Sequence, residues 1–388
     1  MREPVSANAD ASAPVGWIEG DAGRAPEPGI ALCLSGGGSR AMLFHAGALL
    51  RLNELAMLPG LDRISSVSGG SIVAGTLAAA WRDLGFDAAG RSANLARLVV
   101  DPLRSLASER IDIPVFVRGL LPGRSPAEEL ARALDRRLYH GTRLSDLPDD
   151  PPRFVFNATN LASGVLWRFS KPYMRDYRVG EVRNPKLRLA TAVAASAAFP
   201  PFFSPLRLAL DPAGFTPGTG SFADPAYQRR PALADGGVYD NLGLETAWKR
   251  YTTVLVSDGG GHLGDVPRPP GDLVRQSIRV MQTIDGQVRA LRKCLLIAGY
   301  QDGASDGAYW GIRSDIANYA VADPLPCPAE STGRLADEPT RLTRMPPLTQ
   351  ERLINWGYAI ADAALRAHVR PGAPPPAGFP YPAAGVGS

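Results

Sequence analysis

The chain contains little cysteine and little histidine. Among its 388 residues are four histidines and three cysteines, Cys33, Cys294 and Cys327. An odd number of cysteines without metal-ligand spacing indicates neither a disulfide framework nor a zinc site. We therefore expect a reducing, cytoplasmic environment and a protein that works without a metal or another cofactor.

Strong charge imbalance and long apolar runs are missing too. The 42 basic and 38 acidic residues leave a formal net charge of +4. This small excess argues against nucleic acid as a partner, although it permits a weak attraction to anionic lipid surfaces and so a peripheral membrane contact. No window is apolar enough for a transmembrane helix, and the first residues lack the apolar core of a secretion signal.

Two terminal segments lack helix or strand periodicity. Residues 1–28 are rich in Ala, Pro, Gly and Asp, and residues 371–388 are rich in Pro and Gly. Such compositions favour disorder because they offer little apolar surface to bury. We predict a disordered leader, one folded domain over residues 29–370, and a disordered tail.

Strand-like and helix-like patterns alternate within the predicted domain. Among the clearest are the strands IALCL, ISSV and TTVLVSDGG and the helices GGSIVAGTLAAAWRDLG and LTQERLINWGYAIADAALRAH. RFVFNAT and VLWRFS read as a strand pair. Alternation of this kind predicts a three-layer α/β/α fold, with a mainly parallel sheet covered by helices on both faces.

The first junction of interest is LCLSGGGSR, where a strand runs into Gly36, Gly37 and Gly38 before a helix. Unpaired N–H groups at a helix N-terminus favour a negative charge there. Gly36, Gly38 and Ala41 fit the dinucleotide fingerprint, but that fingerprint needs an acid after the second strand, and Asp62 precedes its strand. A P-loop is excluded because no Gly-Lys-Ser/Thr follows.

The second junction is ISSVSGGSIVAG, which places Ser68 between a strand and a helix. A serine at such a turn exposes its hydroxyl above the sheet, as in the nucleophile elbow G-x-S-x-G. Here Ser66 stands in place of the first glycine. A serine that merely caps a helix is the alternative. With both junctions present, we expect Gly37 and Gly38 to donate N–H groups to the oxyanion that forms when Ser68 attacks an acyl carbonyl.

A serine nucleophile needs a base, and the residues alone leave two candidates. His262, in SDGGGHLG, is the one histidine that follows a strand and a glycine turn. Asp235, in LADGGVYDNLGLE, could serve if burial raises its pKa toward neutrality. Asp258, in VSDGG, has the same local letters, but we expect it to be a turn residue after a core strand.

These motifs, in this order, resemble those of the patatin-like phospholipase family of bacterial lipid acyl hydrolases. The resemblance spans about residues 29–370, which would make that region the family's catalytic domain. It rests on four stretches: Gly36–Arg40 as the GGG-x-R/K oxyanion motif, Ser66–Gly70 as the elbow, Asp235–Gly237 followed by VYDNLG, and the block ATAVAASAAFPPFFSP.

The resemblance implies a Ser68–Asp235 dyad without histidine and a lipid ester substrate such as a glycerophospholipid, a lysophospholipid or an acylglycerol. It gives Gly36, Gly37 and Gly38 the oxyanion role, while Arg40 either orders that loop, meets a lipid phosphate, or forms a salt bridge at the helix start. Three alternatives stay open: an acyltransferase with the same dyad, a Ser–His–Asp esterase using His262, and a non-catalytic lipid- or nucleotide-binding protein.

Two apolar segments are candidates for guiding acyl chains to such a site. Ile111–Arg124 reads as a loop-like stretch that carries two arginines, and Phe199–Leu206 is rich in proline and phenylalanine. Either could form a wall for an acyl chain or a lid at a lipid surface. Ordinary core interrupted by proline is the alternative for each.

Overall fold

A computed structural model describes residues 25–149, 151–222, 224–261 and 264–387. Residues 1–24 of the predicted leader lie outside the described residues. The predicted boundary at residue 28 is wrong, because the first strand begins at Glu27. His262 also lies outside the described residues.

The described residues form one mixed sheet. Its path runs in the order β10-β9-β1-β2-β3-β4-β5-β6, while β8 pairs with β3 and β7 pairs with β8. The strands are β1 (Glu27–Leu34), β2 (Arg63–Ser66), β3 (Arg153–Asn160), β4 (Val165–Phe169), β5 (Tyr173–Asp176), β6 (Gly180–Arg183), β7 (Leu206–Arg207), β8 (Ala232–Asp235), β9 (Tyr251–Asp258) and β10 (Asp306–Gly311).

The sheet has a parallel half and an antiparallel half. From β10 to β3 every neighbouring pair is parallel, and this half contains both predicted strand–helix junctions. From β3 outward the pairs are antiparallel, including the predicted pair β3–β4. Connections of a few residues cannot return a chain to a parallel position, so the short links β3–β4, β4–β5 and β5–β6 make hairpins. The prediction of a mainly parallel sheet thus describes the half that holds both junctions.

Helices cover the sheet on both faces, which confirms the predicted three-layer α/β architecture. Along β1, Leu32 and Leu34 belong to the larger apolar core, whereas Ala31 and Cys33 pack into a second, smaller core. The helices are α1 (Gly38–Glu54), α2 (Gly69–Ala80), α3 (Asp101–Ala107), α4 (Asp112–Gly119), α5 (Pro126–Leu134), α6 (Leu189–Ser196), α7 (Pro225–Gln228), α8 (Gly237–Asp240), α9 (Leu273–Gln301), α10 (Ala329–Ala336) and α11 (Pro347–His368).

The tail differs from the prediction. It has no helix or strand, but residues 371–387 pack against the domain. Asn355 on α11 donates from Nδ2 to the carbonyls of Tyr381 and Gly385, and Val386 is buried. Composition excluded regular structure here, but it did not reveal that a buried amide would bind the tail's backbone.

The segment Ile111–Arg124 also differs, because most of it is the helix α4 rather than a loop. Pro114 suggested a break, yet it lies in the first turn, where backbone N–H groups have no partner within the helix. A proline therefore costs the helix little at this position.

Candidate active site

Ser68 occupies a strained turn between β2 and α2. Its φ of +51° and ψ of −119° are unusual for any residue other than glycine, as an elbow requires. Its N–H donates to Ser196 Oγ at 3.0 Å, which helps to hold this conformation. A side chain at Gly69 would lie 2.4 Å from the Gly38 carbonyl oxygen, so the elbow and the glycine loop touch.

Ser66, which replaces the first glycine of the elbow motif, fits this turn. Its hydroxyl donates to the Val155 carbonyl at 3.2 Å and accepts from Ser71 Oγ at 2.9 Å. The side chain is fully buried, and its polar atom is satisfied. The departure from the motif therefore leaves the turn intact.

The sheet register brings Asp235 to the same end of β3 as Ser68. Ser66 pairs with Phe156 on one side of β3, and Asp235 pairs with Ala158 on the other. Asp235 is 2% exposed, and its Oδ1 accepts the Gly237 N–H at 2.7 Å. Its Oδ2 is buried and has no hydrogen-bond partner in the described part of the chain.

Burial raises the pKa of Asp235 to about 7. The hydrogen bond from the Gly237 N–H and the Ser68 side chain act in the opposite direction and lower this pKa, whereas the nearby charge of Asp285 raises it further. The Ser68 hydroxyl is thus near enough to affect the carboxyl, although no contact to Oδ2 has standard hydrogen-bond geometry among the described residues. Such contacts are often loose before substrate binds. A carboxyl with this pKa can gain or lose a proton near neutral pH.

The glycine loop presents backbone to the same place. Gly37 and Gly38 have φ values of +143° and +60°, which lie in the region that favours glycine. Side chains would collide with the Gly259 carbonyl at Gly37 and with the Thr340 backbone at Gly38. Of the described atoms, none accepts from the N–H of Gly37 or Gly38, whereas the Gly36 N–H donates to the Asn241 carbonyl. The loop therefore offers two free donors, not three.

The model of the family described as Patatin-like phospholipase matches residues 32–248, which is more than half of the chain. The chain belongs to the patatin-like phospholipase family. Membership in this family supports lipid acyl hydrolase activity, and the two glycine junctions and Asp235 all lie within the matched region.

Solved structures similar to this patatin-like chain are distant, with TM-scores below 0.5. Human GIVD cytosolic phospholipase A2 in complex with methyl gamma-linolenyl fluorophosphonate is 14% identical, with a TM-score of 0.48, over 88% of this chain and 59% of that one. VipD from Legionella pneumophila is 17% identical, with a TM-score of 0.38, over 88% and 67%. Full-length ExoU with SpcU from Pseudomonas aeruginosa is 19% identical, with a TM-score of 0.28, over 68% and 52%. No curated protein matches the chain.

Arg40 of the patatin-like oxyanion motif is turned inward. It is 2% exposed, and its guanidinium donates to the carbonyls of Gly259, Ala336 and Glu338. Gly259 is the residue whose carbonyl lies against Gly37. Of the roles predicted for Arg40, these contacts favour ordering the loop over contacting a lipid phosphate.

His45 and Asp258 have structural partners. Burial lowers the pKa of His45 to about 4, and its ring hydrogen-bonds Ser257 Oγ and the Ser35 carbonyl. Despite its burial, Asp258 has its pKa lowered to about 2 by Arg289 and Lys293, with further hydrogen bonds from the Gly260 N–H and Tyr309. We expected Asp258 in a turn after a core strand, and the structure places it one step earlier, as the last residue of β9.

Ser196 is the residue that sequence reasoning missed. At the end of α6, its Oγ accepts the Ser68 N–H, and its carbonyl accepts the Gly236 N–H at 3.1 Å. It therefore connects the predicted nucleophile to the turn that carries Asp235. The Ala/Ser-rich block was noticed for its resemblance alone, and the serine within it was the available signal.

Proposed function

We propose that this patatin-like protein hydrolyses acyl esters of lipids, with Ser68 as the nucleophile and Asp235 as the base. The activity falls in the class of phospholipases A, lysophospholipases and acylglycerol lipases. One observation carries the proposal: the buried carboxyl of Asp235 lies beside a strained serine. Its Oδ2 has no hydrogen-bond partner among the described residues. Two amides without acceptors in the described structure adjoin that serine.

The proposed reaction begins when Asp235 Oδ2 takes the proton of Ser68 Oγ, which attacks the ester carbonyl carbon. The N–H groups of Gly37 and Gly38 stabilise the resulting oxyanion. Collapse of this intermediate expels the alcohol, which takes the proton from Asp235, and leaves the acyl group on Ser68. Asp235 then takes a proton from water, whose oxygen attacks the acyl carbon, and the fatty acid leaves as the proton returns to Ser68.

Apolar surface near the dyad supports a lipid substrate. Asp235 donates its N–H to the carbonyl of Ala198, and the next residue, Phe199, is 52% exposed. The ring of Phe202 contacts that of Phe116 on α4, with centroids 6.1 Å apart. The two segments predicted to guide acyl chains thus touch each other and lead from Asp235 to solvent.

The surface around α4, called here the α4 rim, supports peripheral contact with an anionic membrane. Beside α4, a cavity of about 190 Å³ is lined by Arg110, Arg118, Arg136 and Arg137, with Glu129 as the acidic member. Exposed apolar residues next to it are Ile113, Val117, Leu120 and Leu121. No helix among the described residues is both long and apolar enough to cross a bilayer.

A vesicle assay tests this contact without relying on catalysis. In a Ser68→Ala background, Leu120→Ser with Leu121→Ser should weaken co-sedimentation with phosphatidylglycerol-containing vesicles. A matched change away from this rim, Leu348→Ser, alters another exposed leucine and should have no effect. Equal binding by all three proteins would remove this rim from the proposal.

The activity itself is tested with a short-chain p-nitrophenyl ester, followed by a phospholipid panel. Parent protein should hydrolyse the ester, and both Ser68→Ala and Asp235→Asn should be nearly inactive. A fluorophosphonate probe should label Ser68, and absence of an adduct would favour a binding protein. Products formed with a lysolipid acceptor would instead show acyl transfer, and loss of activity in His262→Ala would favour the Ser–His–Asp alternative.

A further inference from the structure

Gly36 and Gly237 belong to two separate motifs, but a side chain at either position would meet the same residue. Its first carbon at Gly36 would lie 2.3 Å from Asn241 Oδ1, and at Gly237 it would lie 2.7 Å from that same oxygen. Neither glycine, both within the described residues, has a positive φ, so the backbone itself does not require glycine here. The two glycines therefore make room for the carboxamide of Asn241.

Asn241 is held in this place by the turn that follows α8. Its backbone carbonyl accepts the Gly36 N–H at 3.0 Å, which ties it to the glycine loop. The buried carboxyl of Asp240, just before it, accepts the N–H groups of Leu242 and Glu245 at 3.1 and 2.7 Å. Contacts on both sides thus fix the backbone from which the carboxamide projects.

The carboxamide lies between the predicted nucleophile and the predicted base. The first side-chain carbon at Gly36 would be 3.2 Å from Ser68 Cβ. At Gly237 it would be 3.0 Å from Asp235 Oδ1. One water, which holds its partners at about 2.8 Å, can therefore contact Asn241 Oδ1 and the Asp235 carboxyl at once. Such a water would stand next to an acyl group on Ser68.

The side chain of Asn241 is half-buried and has no hydrogen-bond partner in the part of the chain that the structure describes. Polar groups in such surroundings normally find a partner. The oxygen Oδ1 can only accept a hydrogen bond, so it would oppose an oxyanion but suits a group that carries hydrogens. In the proposed reaction, that group is the water that attacks the acyl-enzyme.

We propose that Asn241 is a catalytic residue of deacylation, whose Oδ1 orients the attacking water. This role rests on the proposed hydrolase function and adds a second acceptor to its last stage. The water gives one hydrogen to Asp235 Oδ2 as a proton and donates a hydrogen bond to Asn241 Oδ1 with the other, so its lone pair faces the acyl carbon. The new C–O bond moves the carbonyl electrons onto the oxyanion. Collapse of that intermediate breaks the bond to Ser68 Oγ, which takes the proton back from Asp235.

Partitioning of the acyl-enzyme between water and hydroxylamine tests this role. Both attack the same acyl group, but hydroxylamine is the stronger nucleophile and depends less on being oriented. With a short-chain p-nitrophenyl ester, Asn241→Ala should lower the ratio of carboxylic acid to hydroxamate about tenfold, because water loses an orienting hydrogen bond. Mass spectrometry of the products measures the ratio, and Ser68→Ala gives the uncatalysed background.

A merely structural role would not move this ratio, because a displaced nucleophile slows the formation of both products alike. Asn53→Ala is the matched control. The Asn53 amide is bonded to the Ser92 backbone near the far end of α1, so its loss should lower stability and leave the ratio unchanged. Fluorophosphonate labelling of Ser68 needs no oriented water, so its rate in Asn241→Ala should stay close to that of the parent.

Asn241→Asp separates the acceptor oxygen from the rest of the side chain. The variant keeps an oxygen at the same place, so the ratio of acid to hydroxamate should return toward the parent value. Its negative charge beside Asp235 favours the protonated form of that carboxyl and raises its pKa. The acidic limb of the kcat/KM profile should therefore move to higher pH in this variant.

An unchanged product ratio in Asn241→Ala, or a fall that Asn241→Asp does not reverse, would overturn this role and leave the proposed hydrolase activity intact. Slower labelling of Ser68 in Asn241→Ala would also overturn it, because the side chain would then act on the nucleophile rather than on water. A parent protein that forms neither product above the Ser68→Ala background would overturn the proposed function, and the role of Asn241 with it.

Discussion

Asp235 and Asp258 share the letters Asp-Gly-Gly and end strands of the same sheet, but their surroundings differ. Asp258 is held by Arg289, Lys293 and Tyr309, and its pKa is lowered to about 2. Asp235 has no cation beside it among its described neighbours, and burial raises its pKa to about 7. The comparison teaches that the local turn fixes where a carboxyl lies, whereas distant partners decide whether it holds a charge or exchanges a proton.

The largest expected difference between the two aspartates is in catalysis. Asp235→Asn should lower kcat for a short-chain ester by about a thousandfold or more, because the proposed base is lost. Asp258→Asn should keep most of the activity of the protein that remains folded. Initial rates normalised to the concentration of folded protein, determined by circular dichroism, measure both. Comparable losses in the two variants would contradict the assignment of Asp235.

The effects on stability should have opposite signs. Asp258→Asn should destabilise the protein by about 3 kcal/mol at pH 8, because Arg289 keeps its charge in a buried site without its partner. Asp235→Asn should stabilise it at the same pH, because the charge that burial disfavours is removed. Urea unfolding at pH 8, followed by circular dichroism, gives both values.

The pH dependence of these stability effects follows from the direction of each pKa shift. Asp235 binds its proton more tightly when folded, so its contribution is favourable below about pH 4 and is lost as the pH rises through 7. The advantage of Asp235→Asn should therefore shrink at acidic pH. Asp258 stabilises the fold above about pH 4, and that contribution is lost as the pH falls toward 2. The change in the free energy of unfolding should therefore move in opposite directions with pH for the two variants. A change in the same direction for both would contradict the comparison.

A smaller effect is expected at Ser196, which supports the turn of Asp235. Ser196→Ala removes the acceptor of the Ser68 N–H, so kcat should fall about fivefold, as for a lost hydrogen bond of about 1 kcal/mol. KM should stay nearly constant. Ser170→Ala is the control, because Ser170 Oγ is buried without a described partner. Equal effects of the two changes on kcat would assign Ser196 a purely structural role.

The smallest expected effect comes from Asp285, whose charge raises the pKa of Asp235 from α9. Asp285→Asn should lower that pKa, so the acidic limb of the kcat/KM profile should move to lower pH. The profile is measured with the short-chain ester. A shift in the opposite direction, or none, would show that Asp285 does not act on the base.

The sequence allowed prediction of features that depend on local chemistry. Gly37, Gly38 and Gly69 lie at turns where a side chain would collide with backbone, and such turns are visible in the letters. The strand and helix pattern predicted the layers because buried strands and amphipathic helices have different apolar periods. The choice of Asp235 as base came from resemblance to a family, not from spacing.

Features that depend on distant partners were not predictable. Asp258 differs from Asp235 because of Arg289 and Lys293, which lie on α9, far along the chain. The packed tail depends on Asn355 of α11 in the same way.

The central claim is that Asp235 activates Ser68, and the pH dependence of covalent labelling tests it most directly. The rate of fluorophosphonate addition to Ser68 is measured by mass spectrometry from pH 5 to pH 9 in parent, Asp235→Asn and His262→Ala proteins. The account predicts a rate that rises with a midpoint near pH 7 in the parent and in His262→Ala, and almost no labelling in Asp235→Asn. Normal labelling in Asp235→Asn, or its loss in His262→Ala, would contradict the account.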